Sequence, residues 1–130
     1  MVTQADTTRQ VLEHHLAAFG AGNVDEILSD YTDDSILIAP EGPLNGRQAI
    51  RGFFEAVLAS VFKPGSYEFT MDTLHVAEDV AYMVWHSKCA SANIVFAADT
   101  FLVRNGKIAV QTYAPKIEVK QQEVPSIART

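Results

Sequence analysis

The run Ile94-Val95-Phe96-Ala97-Ala98-Asp99-Thr100-Phe101-Leu102-Val103-Arg104-Asn105-Gly106-Lys107-Ile108-Ala109-Val110-Gln111-Thr112-Tyr113 decides the fold. Asn105-Gly106 is the pair that a two-residue hairpin turn with left-handed backbone favours, and residues rich in β propensity flank it on both sides. The run therefore predicts two antiparallel strands, about 94–104 and 107–117. Working upstream, two further runs of the same character, about 66–76 and 80–90, are joined by short connections at Glu78-Asp79 and Ser91-Ala92-Asn93. Four strands joined by hairpins make an antiparallel meander.

The first half of the chain has a different period. From Thr7 to Ala21, residues Val11, Leu12, His15, Leu16 and Phe19 fall in one stripe at the helical advance of about 100° per residue, with His14 off it. Gly20 and Gly22 end that helix. Asn23 with Glu26 opens a shorter second one, whose buried side is read as Val24, Ile27, Leu28 and Tyr31. Asp33-Asp34 marks a turn, Ser35–Ala39 a short strand stopped by Pro40, and Glu41-Gly42-Pro43 a loop. A third helix, capped by Asn45 with Gln48, carries Ile50, Phe53, Phe54, Val57, Leu58 and Val61 and ends at Pro64-Gly65. Helices first and a meander afterwards is an α+β pattern.

The chain has 130 residues, enough for one domain with a core of its own, and 48% of them are hydrophobic. Ten Lys and Arg stand against 16 Asp and Glu, a net charge of −6 that repels phosphate backbones and argues against nucleic acid as a partner. The sequence shows no signal-like N-terminus and no membrane-length apolar run, so a cytoplasmic protein with no membrane partner is expected. Cys89 is the single cysteine. Residues 1–118 are read as one domain, and 119–130 as an aperiodic tail that hangs loose or crosses to a partner.

No motif for a metal, nucleotide or flavin is present, and no cofactor is expected. The adjacent His14 and His15 point to different sides of their helix and cannot share a metal ion. The informative residue is Asp99. Strict alternation places it in the row Val95, Ala97, Asp99, Phe101, Val103, where a carboxylate must be hydrogen-bonded, neutralised by a raised pKa, or paired with an arginine such as Arg47 or Arg104. On the neighbouring strands, Tyr82, Val84, His86 and Lys88 share one face and Met83, Trp85, Ser87 and Cys89 the other, while Gln111 and Tyr113 alternate with Val110 and Thr112. An inward face assembling His86, Asp99, Gln111 and Tyr113 is the expectation.

Four strings resemble the nuclear transport factor 2-like superfamily, in its SnoaL-like and ketosteroid-isomerase-like branch. They are Ala17–Asp25, Tyr31-Thr32-Asp33-Asp34-Ser35, Leu44–Arg51, and Asp99-Thr100-Phe101 through Ile108, in the family's order. The resemblance implies three N-terminal helices packed in the concave face of a strongly curved, mixed, mostly antiparallel sheet, a cone-shaped cystatin-like roll with an apolar cavity, often dimeric through the sheet. Function transfers less directly, because this fold hosts several chemistries and none. Set on ketosteroid isomerase, Asp99 matches the neutral oxyanion-hole aspartate, His15 replaces the tyrosine of the first helix, and Ala39 stands where that enzyme has its base. Set on SnoaL-like cyclases, Asp99 matches the aspartate that serves as acid and base.

Three readings follow. One is an isomerase-, cyclase- or lyase-type enzyme acting on a small apolar carbonyl compound, with Asp99, His15 and His86 as catalytic candidates and Tyr82, Phe53, Phe101, Gln111 and Tyr113 against the substrate. The second is a carrier with the same pocket, and the third an interaction module with that pocket filled by Phe53, Phe54, Phe101 and Trp85. A homodimer through the sheet is the expected partner state.

Overall fold

The computed structural model describes residues 1–120. Helix α1 (Gln4–Gly20) begins three residues ahead of the expected start at Thr7 because Thr3 and Asp6 cap it reciprocally, each side chain accepting the other's backbone N–H at 3.1 Å. Helix α2 (Val24–Leu28) is capped by Asn23, whose side chain accepts the Glu26 N–H. It stops at Leu28, so Tyr31 is not on its buried side but opens strand β1 (Tyr31–Ala39). Asp33-Asp34 makes a bulge instead of a turn: the Ser35 hydroxyl accepts the Thr32 N–H at 2.9 Å and donates to the Ile108 carbonyl at 2.6 Å, carrying the strand across the irregularity.

The expected loop at Glu41-Gly42-Pro43 is a hairpin. Strand β2 (Gly42–Asn45) pairs antiparallel with β1, and Pro43 is tolerated because β2 is an edge. Helix α3 (Gly46–Leu58) follows, with Asn45 at its N-cap but making no side-chain cap bond. The meander is β3 (Tyr67–Ala77), β4 (Val80–Cys89), β5 (Ala92–Arg104) and β6 (Lys107–Val119). Its turns fall at Glu78-Asp79, Ala90-Ser91 and Asn105-Gly106, with Glu78, Asn105 and Gly106 in left-handed backbone.

The sheet order is β2-β1-β6-β5-β4-β3. The β1–β6 pair is parallel and every other pair antiparallel, which gives the expected mixed sheet with three helices against one face. Helix α3 packs on β1 and α1 on β3 and β4, and the Thr8 hydroxyl ties α1 to the Glu78 carbonyl at 2.7 Å. The core between them includes Leu12, Ile27, Tyr31, Leu37, Ile50, Phe54, Ala97 and Phe101. The expected tail at 119–130 lies outside the described residues from 121 onward. Among the described residues, no helix is long and apolar enough to cross a membrane.

One irregularity decides which side chains face inward. Near the Ala90-Ser91 turn, Ser87 pairs with Ile94 and Lys88 with Asn93; farther along, Trp85 pairs with Ala97 and Met83 with Asp99. The residue sums change from 181 to 182, so Val95 and Phe96 together oppose His86. This bulge ends the row expected from strict alternation: Val95 turns out toward solvent at 40% exposure, while Ala97, Asp99, Phe101 and Val103 are buried.

Candidate functional site

Four neighbouring strands each place one polar or amphipathic side chain on the inner face, and these side chains form a single hydrogen-bonded row. Tyr31 of β1 donates its hydroxyl to the Gln111 Oε1 of β6. Gln111 Nε2 donates to Asp99 Oδ2 of β5 at 2.9 Å, and Trp85 Nε1 of β4 donates to Asp99 Oδ1 at 2.9 Å. All four are buried, with Asp99 only 3% exposed. Neither Arg47 nor Arg104 joins the row; Arg104 lies 3.9 Å from Asp79. Burial pushes the Asp99 carboxyl up to about 6, against the opposing pull of the two N–H donors. Desolvation likewise raises the Tyr31 phenol well above its ordinary value, with the Asp99 charge adding to it.

The row borders a cavity of about 50 Å³, lined by His15, Asp99, Gln111 and Tyr113 among aromatic walls that include Phe53, Phe54 and Trp85. That is room for a few water-sized groups. His15 projects from the inner stripe of α1 and meets Phe101, Phe54 and Tyr31 edge-on, with ring centroids 5.4, 5.8 and 6.0 Å away. Its Nδ1 has no hydrogen-bond partner, and burial lowers its pKa to about 4, so the imidazole is neutral at pH 7. Tyr113 lies parallel to Trp85 at 6.3 Å and edge-on to Phe53 at 5.8 Å; burial raises its phenol pKa.

Of the residues singled out from sequence, Asp99, His15, Gln111, Tyr113 and Phe53 come together at this cavity. Three do not. His86 lies on the opposite face of the sheet, where Nδ1 bonds Asp72 at 2.7 Å, and Tyr82 lies on that same face, 42% exposed and stacked parallel on His75 at 6.4 Å. The bulge at Val95-Phe96 is the reason, since it turns the Met83-Trp85 face of β4 inward. Phe101 is fully buried beneath His15 and supports the cavity without lining it. Ala39 lines a separate groove between the β1–β2 hairpin and α3. Trp85 was missed as an Asp99 partner and Tyr31 as the partner of Gln111. A fully apolar stretch around a carboxylate was the signal that its partners had to be side-chain donors from adjacent strands.

A helix-covered mixed sheet with a polar row at the floor of an aromatic cavity defines the nuclear transport factor 2-like class of fold. The chain belongs to the SnoaL-like domain family, whose model matches residues 12–111. Solved structures agree in fold. One from Kribbella flavida, designated a ketosteroid isomerase, superposes with a TM-score of 0.74 at 15% identity over 96% of this chain and 87% of its own. One from Sinorhizobium meliloti, designated a polyketide cyclase, gives 0.70 at 15% identity over 81% and 94%. A nuclear transport factor 2-like protein of unknown function from Burkholderia xenovorans gives 0.69 at 17% identity over 95% and 91%. No curated protein matches.

Proposed function

We propose that the cavity performs acid–base chemistry on a small, neutral, largely apolar carbonyl compound, with Asp99 as the proton acceptor. The observation that carries this reading is the buried carboxylate itself: it faces an aromatic cavity, accepts one N–H on each oxygen, and has a pKa of about 6. At pH 7 such a group is mostly ionised yet more basic than an ordinary carboxylate, which suits a general base. Asp99 takes a proton from the carbon next to the carbonyl. The C–H bond breaks, an O–H bond forms on the carboxyl group, and the electron pair moves onto the carbonyl oxygen as an enolate. The carboxyl proton exchanges with solvent, and Asp99 then returns a proton: to carbon, at the same or a conjugated position, as the electron pair leaves the oxygen in an isomerisation, or, in a cyclisation, to the alkoxide oxygen formed when the enolate carbon attacks a second carbonyl. His15, neutral at pH 7 and lining the cavity, serves the developing oxyanion as a hydrogen-bond donor, a part that neutral imidazole can play. This reverses the assignment drawn from ketosteroid isomerase, in which the aspartate at the Asp99 position is the neutral donor.

Exchange of α-hydrogens in D₂O tests the reading without knowledge of the product. Wild-type protein incubated with a panel of small enolisable ketones should accelerate exchange of at least one, followed by NMR, with a rate that rises through about pH 6. Asp99→Asn should lower that rate by about 10²–10⁴-fold. Exchange at the same rate in Asp99→Asn removes Asp99 as the base.

Ala39 favours a second reading, in which the cavity only carries its ligand, since the position of the ketosteroid isomerase base holds a methyl group. Binding of these ketones with no exchange at any pH would select it. Outward-facing Ile38, Tyr82 and Phe96, all more than 40% exposed, support the further proposal of a homodimer through the sheet.

A further inference from the structure

Asp99 owes its position and its charge to groups that the proposed chemistry does not otherwise use. The Trp85 indole N–H can only donate, so its bond to Oδ1 has one possible sense. Gln111 is different, because its amide carries a donor at one end and an acceptor at the other, and turning it over would face Oε1 toward a carboxylate oxygen. In the structure the Tyr31 hydroxyl donates to Oε1, which leaves Nε2 for Asp99 Oδ2. Tyr31 is 2% exposed and has no place among the cavity-lining residues, so it reaches the site only through Gln111.

We propose that Tyr31 is a positioning residue for Asp99: acting through the Gln111 amide, it holds the carboxylate in its proton-accepting form and fixes the direction in which it faces the cavity. Two features make the arm effective. A hydroxyl donating to the amide oxygen polarises the amide and strengthens the N–H bond at its far end, and the row is buried, where water does not compete for either bond. Among the described residues, no cation lines the cavity to do the same work. The titratable groups that share it are His15 from α1, neutral at pH 7, and Tyr113 from β6, while α3 presents Phe53, Phe54 and Val57. The charge on Asp99 is thus supported by Trp85 and by the Tyr31–Gln111 arm.

The experiment is a titration of the Asp99 carboxyl carbon by ¹³C NMR, with no ligand present. Gln111→Leu should move the midpoint up by a pH unit or more, because a hydrogen bond to a charged group is lost. Tyr31→Phe, which keeps the ring and removes only the hydroxyl, should move it up by about half a unit. Wild-type protein offers a measurement free of mutation: the Gln111 side-chain amide resonances should titrate with the same midpoint as the Asp99 carboxyl. A midpoint unmoved in folded Tyr31→Phe, or Gln111 amide resonances indifferent to the Asp99 titration, overturns the proposal.

A kinetic arm rests on the reading of Asp99 as base. In Tyr31→Phe the pH profile of α-hydrogen exchange should shift upward with the NMR midpoint while its high-pH plateau is largely retained, which a merely structural defect would not do. If the NMR midpoints move but Asp99→Asn exchanges as fast as wild type, the arm stands and the catalytic reading falls.

Discussion

Asp99 and His15 are buried to the same degree, each 3% exposed in one cavity, and burial acts on them in opposite senses because one is an acid and the other a base. The folded protein holds the Asp99 proton more tightly than the unfolded chain does, so the stability from this group is complete below about pH 4 and is lost as pH rises through about 6. His15 runs the other way: its contribution is complete above about pH 6.5 and is lost as pH falls through about 4. Each shift corresponds to roughly 3 kcal/mol, so in the wild type the two contributions nearly cancel between pH 4 and 6.5. Removing either partner should expose the other. Relative to wild type, Asp99→Asn should gain stability as pH rises across this window, and His15→Leu should lose it, as measured by urea unfolding at pH 4, 5.5 and 7. Parallel profiles for both variants and the wild type would contradict the burial-driven shifts. That Asp99 faces inward was legible in the sequence, because alternation alone places it between Ala97 and Phe101. Gln111 was legible as its inward neighbour, whereas Trp85 was not, because the bulge in β5 decides which face of β4 turns inward, and Tyr31, the partner of Gln111, comes from a strand 80 residues away in sequence.

Elements were legible wherever period and turn chemistry agreed, as at α1, α3 and the Asn105-Gly106 hairpin. The faces of β4 were not, because both carry bulky residues and a single extra residue at Val95-Phe96 reverses which one meets the helices. Alternation groups His86 with Tyr82 on one face of β4 but does not say which face turns inward, and an unbroken register would have paired Tyr82 with Asp99. The short edge strand β2 was hidden by Pro43, which reads as a loop unless the strand is known to be an edge. How the elements lock together is testable at the turn between α1 and α2. Gly22 has a φ of +68°, and a Cβ there would lie 2.5 Å from Pro64 Cγ, in the turn that follows α3. Gly22→Ala therefore combines a left-handed backbone penalty with a clash against a ring that cannot swing aside, and should destabilise the protein by about 2 kcal/mol or more. Gly52, exposed within α3, has ordinary helical backbone and nothing within 4 Å of an added Cβ. Gly52→Ala should instead stabilise by about 0.5–1 kcal/mol. Thermal unfolding of the two variants beside wild type checks both; equal midpoints for the pair would show that the Gly22–Pro64 contact does not tie the helices together.

The whole molecule adds a charge filter to the shape of the cavity. Its net charge is −6, and among the described residues the cavity contains one carboxylate and is lined by neither Lys nor Arg. An anionic ligand would meet Asp99 at close range in a largely apolar, buried site, where like charges repel by several kcal/mol and salt screens little. Neutral compounds escape this penalty and can still use the His15 imidazole and the aromatic walls. For a matched pair, such as a small aliphatic ketone and a keto acid of the same skeleton, calorimetry at pH 8 should therefore show the neutral member binding at least about 100-fold more tightly. The difference should narrow below about pH 6, where Asp99 takes up its proton, provided the ligand carboxylate is still ionised there. The affinity of the neutral ketone should change far less over that range, which separates a field effect from a general loosening of the fold. Equal affinities for the pair at pH 8 would mean that the ligand does not reach Asp99, and would move the binding site elsewhere on the molecule.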